Sequence, residues 1–361
     1  MKWILSLCVS LCLFFTACKK DSADNGNSNN NNSLYFPPIT GTSWEAVTPA
    51  SLSWNETELN NLYTYLQQKN TKAFILLKNG RIVVEKYFGT FTVDSNWYWA
   101  SAGKTMTAML VGIAQQEGLL NINNRTSQYL GAGWTNLPLL KENLITVQHQ
   151  LSMTTGLDDG VADSDCTLPS CLVYKADAGT RWSYHNAPYT LLDKVVQNAT
   201  SLSYNTYFQQ KIRNKIGMNG LWVQTGSNNV YYSTARSMAR FGLLMLNKGK
   251  WDTTSILSDA NYFTAQTNTA NTFNLSYGYL TWLNGKSSHM LPTVQFAFNG
   301  AMVPNAPTDM YAALGKNDQK IYVIPSQSLV VIRMGDAANN VQLAVSSFDN
   351  ELWGKLKTII P

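Results

Sequence analysis

Apolar positions recur with two different periods along this chain, and the change of period divides it into three stretches. Residues 55–69 carry apolar side chains at helical spacing and predict an amphipathic helix. Two apolar runs, 73–78 and 82–87, flank Asn79-Gly80. That dipeptide suits a two-residue turn with both central residues at positive φ, so the pair predicts a β-hairpin. From Ser101 to about Lys248 the pattern reads mainly as helices joined by long loops. Strand patterns return at about 276–283, 308–314, 321–324 and 329–334, and residues 340–357 read as a closing helix. Strands at both ends with helices between predict an α+β fold: one mostly antiparallel sheet built from both chain ends, flanking helices, and a helical subdomain. No internal repeat interrupts this plan.

The first residues follow a different logic. Met1-Lys2 is a short positive region, and residues 3–15 form an apolar stretch too short to span a bilayer comfortably. It runs into Phe15-Thr-Ala-Cys18, which resembles a bacterial lipobox. Residues 1–17 are therefore expected to be a lipoprotein signal peptide, with Cys18 the lipidated first residue of the mature chain. A plain secretory signal cut nearby, or an uncleaved anchor, is the alternative. Residues 19–33 are rich in Asn, Asp and Ser and cannot bury enough surface to fold. A disordered polar tether is expected over 18–40 and a folded domain over 41–361. This reading puts the protein in the bacterial cell envelope, periplasmic or outer-surface, held to a membrane through its N-terminal lipid.

Cysteine use agrees with that compartment. Of five Cys, Cys8 and Cys12 lie in the removed segment, leaving Cys166 and Cys171 in the domain. They flank a four-residue loop, and an oxidising compartment permits a disulfide between them. Cys-x₄-Cys without a nearby His is poor zinc spacing, so no metal is expected.

Composition narrows the function classes. The chain has 361 residues, 45% of them hydrophobic, enough for a large core. The net charge of +5 is spread along the sequence, with no basic run interleaved with aromatics, which argues against nucleic-acid binding. There is no phosphate-binding glycine loop and no Gly-x-Ser-x-Gly, so neither a nucleotide cofactor nor a Ser-His-Asp triad is expected.

Candidate chemistry gathers at two short motifs. Ser101-Ala-Gly-Lys104 is the one Ser-x-x-Lys in the chain, and it precedes a buried-helix pattern ending at Gly118. Ser101 then sits at a helix N-terminus, where unpaired N–H groups and the helix dipole favour developing negative charge. Lys104 lies on the same helix face and can take the Ser101 proton if burial depresses its pKa. Tyr184-His185-Asn186 is the one Tyr-x-Asn. Tyr184 could serve as a phenolate base with its pKa lowered by the ammonium, and Asn186 could orient Lys104 or bind a carbonyl. Taken singly, the serine could be only a helix cap, the tyrosine a core residue, and the asparagine a turn residue.

Together the motifs resemble the serine hydrolases of the β-lactamase and penicillin-binding-protein superfamily, in its class C-like branch. Segments 145–157, 233–244, 319–325 and 329–333 resemble further landmarks of that family in the same order. The resemblance implies the β-lactamase/transpeptidase-like fold, a nucleophilic Ser101 activated by Lys104 and Tyr184, and support from Asn186. It also implies an oxyanion hole from the backbone N–H groups of Ser101 and Lys316. The chain departs at the third motif: no Lys-Thr-Gly occurs, and Asp309 to Gly315 stands in its place. Gly315 and Gln319 match the Gly-x-x-Gly-Gln of esterase-like relatives, with Asp318 replacing the second glycine. Asp309 and Asp318 are expected to add negative charge near the site. The expected function is extracytoplasmic hydrolysis of an ester or amide through an acyl-enzyme, without cofactor. A β-lactamase or D-Ala-D-Ala carboxypeptidase, and a non-turnover sensor on the same fold, are the alternatives. Trp97, Trp99 and Trp182 are expected to line the cleft.

Overall fold

The computed structural model describes residues 33–340 and 343–361, so Cys18 and the signal segment lie outside the described residues. Leu34–Pro361 forms one compact unit. Its first residues are already packed on the domain: the Tyr35 N–H donates to Asn79 O at 2.9 Å, and Arg240 Nη2 donates to Pro38 O at 2.8 Å. Residues 34–40 thus belong to the folded body rather than to the tether expected over 18–40, and residues 18–32 lie outside the described residues. Attachment comes from backbone pairing, which a composition argument cannot detect.

The helix expected first is α1 (Glu56–Gln68), capped by the Asn55 side chain. The hairpin follows as β1 (Thr71–Lys78) and β2 (Arg81–Tyr87), with Asn79 at φ 49° and Gly80 at φ 77° in its turn. After β3 (Trp97–Tyr98) comes α2 (Gly103–Gln116). The helical region then includes α3 (Val147–Leu151), α4 (Asn186–Thr190), α5 (Leu192–Thr200) and α6 (Tyr204–Lys211). The helical stretch after Tyr184 is broken near Leu191 into α4 and α5. A hairpin, β4 (Leu221–Thr225) and β5 (Asn228–Ser233), interrupts the region expected to be mainly helical, and β5 also pairs with β3.

Beyond α7 (Ala235–Leu246) and α8 (Ala260–Gln266) the chain returns to strands: β6 (Trp282–Leu283), β7 (Tyr311–Gly315), β8 (Gln319–Ile324) and β9 (Leu329–Gly335). The strand expected over 276–283 survives only as β6, because Leu280 takes a left-handed turn and its N–H bonds to Leu151 O. The closing helix α9 (Ser347–Ile359) begins later than its apolar pattern suggested, at a capping box between Ser346 and Asp349.

The main sheet has the order β2-β1-β9-β8-β7-β6, and every neighbouring pair is antiparallel. β1 pairs with β9 from Thr71↔Gly335 to Lys78↔Leu329, so the two chain ends meet at its centre. This is the antiparallel α+β architecture that the sequence predicts. Both faces are covered, which is why β1, β8 and β9 read as apolar runs rather than alternations. Parity along β8 separates the covers. Lys320 and Tyr322 face α9, contacting Asp349 and Trp353. Ile321 faces the other way, towards α7 at Gly242.

α2 is the central element, with twelve of its fourteen residues buried. A helix enclosed on all sides must satisfy polar groups internally. Thr105 Oγ1 donates to Leu280 O at 2.8 Å, Tyr262 Oη donates to Ala108 O at 2.7 Å, and Gln266 Nε2 donates to Thr105 O at 2.9 Å. Among the described residues no helix is long and apolar enough to cross a membrane.

Helix α7 approaches the sheet at Gly242, where an added Cβ would lie 2.5 Å from Val330 Cγ1 and 3.1 Å from Ile321 Cγ2. Gly242→Val should therefore overpack this interface and destabilise the domain by about 1–3 kcal/mol. Urea unfolding checks this: an unchanged midpoint would show that the sheet can yield there.

Candidate active site

Ser101 lies in a single 3₁₀ turn, Ala100–Ala102, that runs directly into α2. Ala100 before it takes φ 46°, a left-handed conformation that costs a non-glycine residue energy. The turn is pinned from both sides. The Trp99 N–H donates to Tyr231 O at 2.8 Å, and the Trp99 indole donates to Ser233 Oγ at 2.8 Å. On the sheet side Gly315 closes the approach: a Cβ there would lie 2.4 Å from Trp99 O, 2.9 Å from Ala102 N and 3.2 Å from Ser101 N. The last residue of β7 is thus seated against the main chain of the serine turn, and a side chain at this position would push them apart. Lys316, the next residue, is solvent-exposed.

Lys104, one turn along α2, is 3% exposed. Its ammonium nitrogen donates to Asn186 Oδ1 at 2.9 Å and lies 3.6 Å from the centroid of the Tyr189 ring. Among the described residues no carboxylate comes within salt-bridge distance of it. Burial pushes its pKa down to about 7, partly opposed by the more distant Asp165 and Asp193 carboxylates. Ser101, Lys104, Tyr184 and Asn186 are therefore neighbours in space, although the two motifs are some eighty positions apart in the chain.

Tyr184 behaves differently from the expectation. Burial raises its pKa, and the Ser101 hydroxyl opposes this only in part. The ammonium that was to lower it lies over the ring, 5.4 Å from its centroid. The Tyr184 hydroxyl is buried and lacks a partner with full hydrogen-bond geometry, so Ser101 is near but not formally bonded. Burial thus favours the phenol, a shift opposite in direction to the lowering expected for a phenolate base.

An aromatic wall fixes the phenol. Tyr184 stacks on Trp282 at 5.6 Å and meets Tyr277 edge-on at 6.2 Å, with Trp182 behind at 6.4 Å. Of the tryptophans expected to line the cleft, Trp99 and Trp182 are core residues, and only Trp97 is half-buried. Trp282 escaped notice because it lies on a two-residue strand with no motif around it. His185, between Tyr184 and Asn186, is buried with neither ring nitrogen partnered, and burial pushes its pKa down to about 4, so it is neutral. His149 caps its own helix through Thr146.

Two other expectations are overturned. Asp318 is fully buried, and its carboxylate receives Lys320 at 3.2 Å, Ser346 Oγ at 2.7 Å and the Ala338 N–H at 3.0 Å. Its charge is neutralised inside the domain and not offered to a cleft. It occupies a left-handed position, φ 59°, a conformation that glycine adopts without strain. Asp309 binds the Ser326 N–H and hydroxyl at the far end of β7. Gln319 ties the turn after β7 to β9 by donating to Gly335 O at 2.7 Å and Asn317 O at 2.9 Å.

Cys166 and Cys171 are joined by a disulfide. A cavity of about 700 Å³ is lined by parts of this loop and by Thr190, Asp193, Tyr204, Trp222 and Asn229, but not by Ser101, Lys104 or Tyr184. Asp193 is buried on its wall, holds Asn229 at 2.7 Å, and is pushed up in pKa by that burial. Among the described residues no cluster of three His, Cys, Asp or Glu side chains is disposed to hold a metal.

A serine turn at the head of a buried helix, facing the end of an antiparallel strand, defines the class: a hydrolase of the β-lactamase fold. The chain belongs to the beta-lactamase family, whose model matches residues 64–344. It is similar to a putative beta-lactamase from Bacteroides dorei, with a TM-score of 0.67 and 16% identity over 85% of this chain and 99% of that one. A putative 6-aminohexanoate-dimer hydrolase from Bacillus anthracis also superimposes with a TM-score of 0.67, at 18% identity, covering 91% and 92% of the two chains. Among curated sequences, Protein flp of Staphylococcus aureus is 26% identical over 157 residues, 37% of this chain. The match spans only 31% of that protein's length. An uncharacterized protein of Alkalihalophilus pseudofirmus is 22% identical, covering 72% of this chain and 82% of its own.

The Lys104 pKa of about 7 sets a pH dependence. Only the neutral amine accepts a proton, so Ser101 reactivity should be lost as pH falls through about 7. The rate of Ser101 modification by a fluorophosphonate, followed by mass spectrometry, should show that limb. Lys104→Arg, which cannot deprotonate, should lower the rate at least about a hundredfold. A flat profile from pH 5 to 9 would remove Lys104 as the base.

Proposed function

We propose that this protein is a serine hydrolase that cleaves an ester or amide bond through an acyl-enzyme on Ser101. The observation that carries the reading is a buried lysine with no ion-pair partner among the described residues, one helical turn from a half-buried serine. Neutral Lys104 takes the Ser101 proton as the hydroxyl oxygen attacks the carbonyl carbon. The backbone N–H groups of Ser101 and Lys316 receive the oxyanion, a reading supported by the seat of Gly315 against the serine turn. Tyr184, held as a phenol, passes a proton to the leaving group, is replenished from Lys104, and water then releases the acid.

The substrate class follows from what the β7 side offers. β-Lactams and D-Ala-D-Ala peptides carry a carboxylate beside the scissile bond. Where the superfamily motif would supply Lys and Thr, this strand has buried Ala313 and Leu314. Lys320 is turned inward onto Asp318 and Asp349, and exposed Lys316 follows the strand end instead of occupying the motif position. Uncharged esters and amides suit this surface better. In this reading the protein acts in the cell envelope, anchored through a lipid on Cys18.

Wild-type protein should hydrolyse a short-chain nitrophenyl ester with a kcat/KM at least about tenfold above that for a chromogenic cephalosporin, a charge-assisted contact being worth roughly 1.5–3 kcal/mol. Ser101→Ala should abolish both activities. Retained turnover in Ser101→Ala would sink the mechanism, and a cephalosporin value equal to the ester value would sink the substrate assignment. For the anchor, mass spectrometry of the membrane fraction should find an acylated Cys18 at the N-terminus. A soluble mature chain beginning elsewhere would refute it.

A further inference from the structure

The Asn186 amide is bound at both ends. Its oxygen faces Lys104 Nζ at 2.9 Å, and its nitrogen donates to Asp165 Oδ1 at 2.8 Å. Asp165 lies in the loop next to the disulfide-bonded Cys166. The same loop is docked on the first turn of α4 by the main chain, with the Ala187 N–H donating to Ser164 O at 3.2 Å. The loop also holds itself in shape: the Asp165 N–H donates to Asp163 Oδ1 at 3.0 Å, and the Cys166 N–H to Asp163 O at 3.2 Å.

An amide can present either end to a partner, and the choice matters here. A neutral amine has one lone pair and two N–H bonds. Facing the amide oxygen, Lys104 spends an N–H and keeps its lone pair for the Ser101 proton. Facing the amide nitrogen, it would accept an N–H into that lone pair and lose its basicity. An ionised carboxylate only accepts hydrogen bonds, so Asp165 compels the Asn186 NH₂ to turn towards it and the oxygen towards Lys104. We infer that Asp165 is a positioning residue that locks the Asn186 amide in the orientation leaving the Lys104 lone pair free, with the Cys166–Cys171 bridge holding the loop that presents it. This rests on the serine-hydrolase reading given above and adds a residue that the two motifs do not contain.

The groups facing Lys104 come from three elements. Asp165 is on the disulfide loop, Tyr184 and Tyr189 lie before and on α4, and Asp193 is on α5. Asp165 and Asp193 both favour the ammonium by charge. Removing the Asp165 charge therefore favours the neutral amine, and so does donation from a flipped amide. Both effects lower the midpoint of the acid limb, while the flip slows the reaction at every pH.

The test is the second-order rate of Ser101 modification by a fluorophosphonate between pH 5 and 9, in wild type and Asp165→Asn. The variant keeps the size of the side chain but no longer dictates the amide orientation. A fall of about tenfold or more at pH 8, together with a midpoint displaced downward by at least about half a unit, is expected. Asp165→Glu, which keeps an obligate acceptor on a longer arm, should recover part of the rate, and it serves as the folded variant if Asp165→Asn melts early. Cys166→Ala/Cys171→Ala should slow modification by about threefold, and a rate equal to wild type would remove the bridge from the proposal. A wild-type rate and midpoint in Asp165→Asn would overturn the lock. So would a slower rate with an unmoved midpoint, which marks a merely structural loop. Failure of the underlying reading looks different: wild type itself would then show no Ser101-dependent modification.

Discussion

A lysine amine kept out of water without a counter-ion is the constraint from which the rest of this structure can be understood. Removing an ammonium from solvent is costly, and a lysine so placed relieves the cost by releasing its proton. The same burial lowers the Lys104 pKa to about 7, so the neutral amine that the proposed mechanism needs is accessible near neutral pH. The surroundings are built to keep it dry and unpaired. Helix α2 is enclosed on nearly every face, Tyr189 lies over the amine, and the polar contact Lys104 does make is to a neutral amide. A carboxylate in the position of Asn186 would instead hold the charged ammonium.

The sheet serves this centre by bringing one strand end to one turn. β7 must deliver Gly315 against the main chain of the serine turn, and it does so as part of a sheet whose middle is the pairing of β1 with β9. The buried charges on the α9 side belong to the same task. Lys320 bridges Asp318 and Asp349, and Arg333 donates to Asn317 O at 2.9 Å and Asp318 O at 3.1 Å. These groups fix two consecutive left-handed residues, Asn317 and Asp318, in the turn that follows Lys316. A buried ion pair is weak evidence for stability but a strong geometric constraint once formed, because breaking either half leaves an unpaired charge inside.

How much of this was legible in the sequence depends on the range of the interaction. The Asn79-Gly80 hairpin, α1 and the apolar runs of β8 and β9 are set by local chemistry and could be read directly. The Ser101 and Lys104 pair is equally local, since three residues on a helix fix a shared face. The Tyr184 and Asn186 motif was readable as a unit, but the protonation of Tyr184 was not. The sequence shows that a lysine comes near; it does not show that the ammonium lies over the ring while the hydroxyl is buried. Asp318 was misjudged for a related reason: Ser346 and the Ala338 N–H reach it from distant parts of the chain, and Asp349 of α9 holds Lys320 inward beside it.

Residues that left no signal share one property: each acts through a partner fixed only by tertiary packing. Trp282 supports Tyr184 from a two-residue strand, and Asp165 reaches Asn186 from an irregular loop. The division of labour this implies is physical. In the proposed mechanism the groups that exchange protons with substrate sit in the serine turn, on α2 and just before α4, where neighbouring turns define their positions. Groups that decide their protonation and orientation come from loops and short strands, whose positions the whole fold determines. A relative could therefore keep Ser-x-x-Lys and Tyr-x-Asn unchanged and still differ in the pH at which its lysine works. The loop next to Asn186 and the strand behind Tyr184 can vary without touching either motif, and each sets the field or the desolvation that the buried amine and phenol experience.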